Sequence, residues 1–252
     1  MPYYEAISRD LSLDKDEDAR SGAVLSSILL SKGGLYDPDE ILLSVRGLVQ
    51  GRDVYVLGAG PRLEQELDRL IAGMTARGRW GKSGTGNDVI IASDGATSVV
   101  LSRGYKPQII VTDLDGGVED QLSCLGLGSI LFVHAHGDNI PVISRVAPML
   151  KGQVIGTIQT EPDRAGKVFN FGGFSDGDRA AFIASHFGCH SITLLGFDLG
   201  GPASKLMDGG RREPIDDVSY ARKFRKLKWA NVLLALIDSP KVRYFEETDR
   251  QL

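Results

Sequence analysis

Cysteine is scarce: Cys124 and Cys189 are the whole complement of a 252-residue chain. Two isolated thiols build no disulfide framework and fit no metal-ligand spacing, so they suit a reducing compartment. No apolar run reaches the ~18 residues of a membrane span, and a start carrying Glu5, Asp10 and Asp14 lacks signal-peptide character. An excess of positive charge is missing too, because 29 Lys and Arg face 33 Asp and Glu for a net charge of −4. Nucleic acid and anionic membrane are therefore disfavoured as partners. A cytoplasmic protein is expected. Repeats and low-complexity linkers are lacking, and 42% hydrophobic with 25% charged residues is ordinary globular composition. On a prior of ~150 residues per domain, the length fits one large domain or a domain with an appendage.

Residues 1–48 read as a helical N-terminal segment in which Asp14-Lys15-Asp16-Glu17-Asp18 forms a solvated helix start. From residue 49 to 200 the pattern becomes short β-branched runs separated by stretches of helical period. Strands are predicted near 53–57, 88–92, 108–112, 129–133, 153–158 and 191–196. Helices are predicted after the first strand, with Pro61 in the first turn, and near 95–104, 118–125, 140–150, 177–187 and 217–238. Strands apolar along their whole length, alternating with helices, predict an α/β fold with a mostly parallel sheet flanked by helices. Residues 201–252 read as a loop and a C-terminal helix packed on that core, with 200–214 the one flexible loop.

Ligands of open α/β sheets bind beyond the carboxyl ends of the strands. The residues there are Gly58-Ala59-Gly60-Pro61, Ser93-Asp94-Gly95-Ala96, Thr112-Asp113-Leu114-Asp115-Gly116-Gly117, His134-Ala135-His136-Gly137-Asp138-Asn139 and Phe197-Asp198-Leu199-Gly200. Four of these five ends carry aspartate, and their convergence would be costly in repulsion without a cation. Asp113 and Asp115, two apart on an extended segment, aim their carboxylates to one side. Hard oxygen ligands with no thiolate nearby suit Mg²⁺. Asp138 is either a third metal ligand or a helix cap.

Two glycine-rich segments are candidate phosphate cradles. Gly58 and Gly60 precede a helix whose free amides suit an anion, but Leu63 stands where a dinucleotide fingerprint needs a third glycine. The second segment runs from Gly172 to Arg179, with Ser175 and Asp178 at capping-box spacing. Arg179 in the first turn opposes the helix dipole, which points to a compensating anion. The near P-loop at 76–83 follows a helix and leads to a strand, the wrong context, so it reads as a basic surface loop. Arg222, Lys223, Arg225, Lys226 and Lys228 read as a solvated basic helix face from which Lys226 reaches a phosphate.

The order of Ser93-Asp94-Gly95, Gly104-Tyr105-Lys106-Pro107 and Thr112-Asp113-Leu114-Asp115-Gly116 resembles the thiamine-pyrophosphokinase-like superfamily. The segments 58–61, 134–139, 172–179 and 196–200 narrow the resemblance to the archaeal 6-hydroxymethyl-7,8-dihydropterin pyrophosphokinases, over roughly residues 50–230. The resemblance implies a nucleotide-binding catalytic core that transfers diphosphate from ATP to the hydroxymethyl group of a reduced pterin, releasing AMP. It implies that Asp113, Asp115 and Asp138 hold Mg²⁺ and that Asp94 and Gly95 help place the nucleotide. Ser175, Asp176 and Arg179 then belong to the phosphate or substrate side, with His136 a candidate proton acceptor. ATP and a pterin are the expected partners, and a homodimer is an admissible assembly.

The chain departs from the pattern in places. Thiamine enzymes add a β-rich C-terminal domain that residues 201–252 do not resemble, so thiamine is a poor substrate. A second Asp common beyond the Asp138 position is missing at Ile140, Pro141 and Val142, and Arg62 stands where pterin relatives often have Ser. Two rival readings remain. One is a zinc hydrolase built on His134, His136 and Asp138 with help from His186 or His190. The other is a noncatalytic nucleotide-binding module like those linked to flagellin modification.

Overall fold

The structure, a computed structural model, describes residues 3–33, 37–81, 84–161, 167–197, 204–237 and 242–245. The helical start is three helices: α1 (Tyr4–Leu11), α2 (Lys15–Leu30) and α3 (Pro38–Val49). Asp14 and Asp37 each accept two backbone amides at the starts of α2 and α3, and Pro38 opens α3 where no amide is needed.

The core alternates β1 (Asp53–Leu57), α4 (Leu63–Ala76), β2 (Val89–Ser93), α5 (Ala96–Ser102), β3 (Ile109–Thr112) and α6 (Val118–Gly126). It continues through β4 (Ile130–Ala135), α7 (Ile140–Val146), β5 (Val154–Ile158), β6 (Val168–Phe169), α8 (Asp176–His186) and β7 (Ser191–Leu195). Last come β8 (Ser204–Leu206), β9 (Arg212–Pro214), α9 (Asp217–Leu234) and β10 (Val242–Tyr244). Among the described residues, eight strands form one sheet in the order β10-β7-β1-β2-β3-β4-β5-β6, and every pairing in it is parallel.

Both faces of the sheet are buried. Val54, Val56, Ile91, Ile109, Val111 and Phe132 pack with α3 and α8 on one face. Alternate residues of the same strands, among them Leu57, Ile90, Ile110, Leu131 and Val133, face the opposite helices. Alternate positions are apolar in both directions, which is why each strand reads as an unbroken hydrophobic run. Cys124 and Cys189 are free and buried in these cores. Among the described residues no helix is long and apolar enough to cross a membrane.

Several boundaries differ from expectation. Pro61 lies just ahead of α4, and the helix expected over 140–150 ends at Val146 because Pro148 sits in a tighter 3-10 turn, Ala147–Met149. The segment expected to be a flexible loop instead contains the antiparallel hairpin β8–β9, closed by the turn Asp208–Gly210. Residues 198–203 lie outside the described residues, and with them Asp198.

The near P-loop sits at the opposite end of the sheet from the strands' carboxyl ends. Its Arg79 is paired with Asp53 and Asp88, while Trp80 is buried and donates to Asp88 at 2.7 Å. It is a structural corner that ties β1 to β2; Lys82 and Ser83 lie outside the described residues.

Candidate active site

A cavity of about 630 Å³ opens over the carboxyl ends of the central strands, within the size range of small-molecule sites. Asp94, Asp113 and Asp115 meet in it, each offering an oxygen within 4.8 Å of the others. Backbone geometry aims them: Asp94 and Leu114 both adopt left-handed φ, at 44° and 66°, an uncommon conformation for residues other than glycine. The Asp94 turn is held by its own carboxylate. Its Oδ1 accepts from Thr112 Oγ1 at 2.9 Å, Gln121 Nε2 at 3.0 Å and the Gly116 amide at 3.2 Å.

Asp113 Oδ1 is buried with no hydrogen-bond partner. A buried carboxylate oxygen without a donor is expensive unless a cation completes it. Its other oxygen, Oδ2, lies 3.3 Å from His136 Nε2. The His136 amide donates to Asn139 Oδ1 at 3.0 Å and the Asn139 amide donates to the His136 carbonyl at 3.1 Å, which holds the imidazole against Asp113.

Asn139 closes the segment that follows β4. Its Nδ2 donates to the carbonyls of Asp113 at 3.1 Å and His134 at 2.7 Å, and its Oδ1 accepts from the His136 amide and from Ser21. It fastens the end of β3 to the end of β4 and to α2.

The electrostatics follow from crowding. Burial first, then the charges of Asp113 and Asp115, push the Asp94 carboxyl well above its ordinary value. Asp176, at the start of α8, is pushed up in the same sense by burial and by Asp113, Asp94 and Asp115. Burial also raises Asp115, helped by Asp113. Asp113 differs: burial opposes its ionisation, but the hydrogen bond and charge of His136 bring it down to about 2.

Linkage gives these shifts opposite signs. A raised carboxyl such as Asp94 adds stability below the ordinary value of 3.8 that is lost as pH rises through its higher folded value. Asp113 adds stability above 3.8 that is lost as pH falls toward about 2. In chelator-treated protein, Asp94→Asn is therefore expected to gain thermal stability relative to wild type as pH rises from about 4 to about 8. A gap between the two melting curves that stays constant across that range would refute this electrostatic reading.

Asp138 does not join the cluster. Its carboxylate is 61% exposed and pairs with Arg222 of α9 at 2.7 Å. Nor does it cap α7, whose N-cap is Asn139. The HxHxD zinc arrangement does not form either. His134 is buried, its Nε2 faces an Arg179 donor at 3.1 Å, and its Nδ1 lies 3.3 Å from Thr157 Oγ1. Burial and the Arg179 charge hold it neutral, with no lone pair free for a metal. His186 packs edge-on against Phe171 and Phe187 in the core. His190 begins β7's approach at the other end of the sheet, its amide on the Arg52 carbonyl.

The glycine loops have reasons other than phosphate. The Gly58 and Gly60 amides donate to the carbonyls of Leu195 and Gly196. A Cβ on Gly196 would lie 2.3 Å from the Gly58 carbonyl, so the two strand ends approach too closely for any side chain. In the second loop, Ser175 and Asp178 form the expected capping box, and Asp178 also accepts the Phe174 amide at 2.7 Å. Arg179 is a correction. It is fully buried behind the cavity wall, where its guanidinium donates to the carbonyls of Ile158, Gly172 and Gly173 and to His134. The helix-dipole argument pointed to an anion; the charge is instead surrounded by carbonyls, with Asp178 and Asp176 nearby.

Positive charge in the cavity comes from the C-terminal region. Arg222, Lys223 and Lys226 share one face of α9 and line the cavity with Lys205 of β8. The helix face expected to be solvated thus turns three cations inward. Lys226 Nζ lies 5.9 Å from the Phe174 ring centroid. Lys205, which the sequence offered only as part of a loop, lies 2.7 Å from Asp115 Oδ2. Acidic residues of the N-terminal segment line the mouth, and Asp18 is buried, accepting the Gly137 amide at 2.7 Å and Gln159 Nε2 at 2.6 Å.

The chain is 38% identical over 233 residues to a Pyrococcus furiosus protein named 6-hydroxymethyl-7,8-dihydropterin pyrophosphokinase, covering 92% of this chain and 90% of that one. Proteins of the same name from Methanocaldococcus jannaschii and Methanothermobacter thermautotrophicus are 34% and 35% identical, with coverage of 91% or 92% of each chain. The family model described as 6-hydroxymethylpterin diphosphokinase MptE-like matches residues 37–203, a span that contains the converging carboxylates and both glycine loops. With similarity running nearly end to end and the family's span covering more than half of its length, the chain belongs to the MptE-like family.

Proposed function

We propose that this chain transfers the β,γ-diphosphate of ATP to the hydroxymethyl oxygen of 6-hydroxymethyl-7,8-dihydropterin. The bond from the β-phosphorus to the oxygen bridging the α-phosphate breaks as the pterin oxygen bonds to that phosphorus. AMP leaves with the bridging oxygen, and the hydroxyl proton passes to a base. The observation that carries this reading is a single cavity in which three converging carboxylates face Lys205, Arg222, Lys223 and Lys226. A polyphosphate with a divalent cation matches both halves of that charge pattern, and three relatives over nine-tenths of the chain bear the corresponding name.

Asp94, Asp113 and Asp115 would hold Mg²⁺, and the unpartnered Asp113 Oδ1 with its hard oxygen neighbours fits that ion. When bound, Mg²⁺ supplies charge neutralisation and alignment of the phosphoryl groups. Asp94 takes the place that the sequence gave to Asp138. Lys223, Lys226 and Arg222 stabilise charge on the phosphoryl oxygens. His136, 3.3 Å from Asp113 Oδ2 through Nε2, orients that carboxylate. Leu13, Phe174 and Leu227 give the cavity an apolar wall suited to a flat heterocycle. The substrates are small molecules and the setting is the cytoplasm.

Incubation with ATP, Mg²⁺ and the dihydropterin should give AMP and a pterin heavier by a diphosphate, read by mass. Formation of ADP or of orthophosphate alone would overturn the assignment.

A further inference from the structure

Lys205 is carried into the carboxylate cluster by a hairpin docked at three points. Leu206 is buried beside the two site turns, and its carbonyl lies where a Cβ on Gly95 or Gly116 would come within 2.3 or 2.8 Å. Only glycine at both turns leaves room for the strand. At the turn, Asp208 accepts the Asp120 amide at 3.1 Å while the Gly209 amide donates to Asp120 at 2.8 Å. On β9, Arg212 grips both Glu64 oxygens at 2.8 Å and the carbonyls of Ala59 and Gly60. The backbone under Lys205 is thus fixed to the ends of β1, β2 and β3, and its side chain is one-third exposed.

Its ammonium meets Asp115 Oδ2 at 2.7 Å. An ammonium on a ligand carboxylate supplies part of the charge that a divalent cation would supply, and it competes with that cation for the same oxygen. A strongly hydrated point charge on a flexible stem suits a change of partner better than a planar guanidinium would. We propose that Lys205 is a placeholder for the cation: it pairs with Asp115 in the metal-free protein, yields that oxygen when a divalent cation arrives, and then donates to a phosphate oxygen of the incoming polyphosphate. The second half rests on the diphosphokinase reading. The first half does not.

Two affinities separate these roles. Mn²⁺ is titrated into nucleotide-free wild type, Lys205→Met and Lys205→Arg, with free Mn²⁺ followed by its electron paramagnetic resonance. Mg²⁺ with α,β-methylene-ATP, which cannot be cleaved at the reacting bond, is titrated by calorimetry. Lys205→Met is expected to bind Mn²⁺ alone about tenfold more tightly and the nucleotide complex about tenfold more weakly, each near 1.4 kcal/mol. Shifts of opposite sign cannot come from a damaged fold. Lys205→Arg keeps the charge and should hold nucleotide affinity near that of wild type. Unchanged or weaker Mn²⁺ binding by Lys205→Met refutes the placeholder, and unchanged nucleotide binding refutes the phosphate contact. If wild type forms no AMP, the diphosphokinase reading fails while the Mn²⁺ comparison still decides the placeholder.

Discussion

Asp113→Asn is expected to lower turnover by about a thousandfold or more while leaving the melting temperature within a few degrees of wild type, the scale seen when a charge-stabilising group is lost from a site. Asparagine keeps the shape and keeps the backbone carbonyl that Asn139 holds. It removes the charge that pushes Asp94, Asp115 and Asp176 upward. Relief of that repulsion offsets the lost contact with His136, so the folded state should not suffer. Mn²⁺ affinity should collapse along with turnover, because the oxygen left without a protein partner becomes half of a neutral amide. Activity within tenfold of wild type, or a fall in melting temperature of more than about 5 °C, would remove Asp113 from the reaction and make it a structural carboxylate; at this chain length that is a loss of roughly 1–3 kcal/mol.

The carboxylates were legible in the sequence because their positions depend on local facts. A parallel strand buried on both faces reads as an apolar run, the run ends at a definite residue, and the ligands sit beyond that end. Asp94, Asp113 and Asp115 follow β2 and β3 in this way. What was not legible depends on closure over long stretches of chain. Asp138 has the right spacing from His134 and His136, yet Arg222 from the far end of the chain takes its carboxylate. Lys205 lies in a glycine- and proline-rich stretch with no strand pattern, and β8 exists because Leu206 finds a slot made by two distant glycines. β6 is two residues long and carries no periodicity to detect. The basic face of α9 has the composition of a solvated surface; only the position of the helix over the strand ends turns Arg222, Lys223 and Lys226 inward.

The glycines divide along the same line. Gly58 and Gly60 read as a phosphate cradle, and the structure adds a packing reason for glycine here: Gly58 and Gly196 permit two strand ends to touch, and Gly95 and Gly116 admit the hairpin. In each case a neighbouring backbone occupies the space that a Cβ would need, and no single-chain motif distinguishes that neighbour from a bound phosphate. The cavity lining is therefore assembled in two layers. Strand ends present the acids, and the hairpin seated on Gly95 and Gly116, together with α9, brings the cations opposite them.

Arg179→Met is expected to cost about 3–5 kcal/mol of stability, the range for breaking a buried charged network by removing one partner. The arginine is fully buried, and burial pulls its guanidinium down to about 10, still charged at neutral pH. Methionine fills much of the volume but leaves the carbonyls of Ile158, Gly172 and Gly173 and the His134 ring nitrogen without their donor. The Gly173 backbone packs directly on Arg179: a Cβ there would lie 2.4 Å from Arg179 Cα, at a φ of 78°. At roughly 2–4 °C per kcal/mol for a chain of this size, the melting temperature should fall by about 6–20 °C. Arg179→Lys should not restore it, because a compact ammonium cannot reach carbonyls on both sides as the planar fork does. Well below the melting transition, KM for ATP should stay close to that of wild type, since the guanidinium faces the protein interior and not the cavity. An unchanged melting temperature with a large rise in KM would reverse that assignment and give Arg179 back to the bound anion.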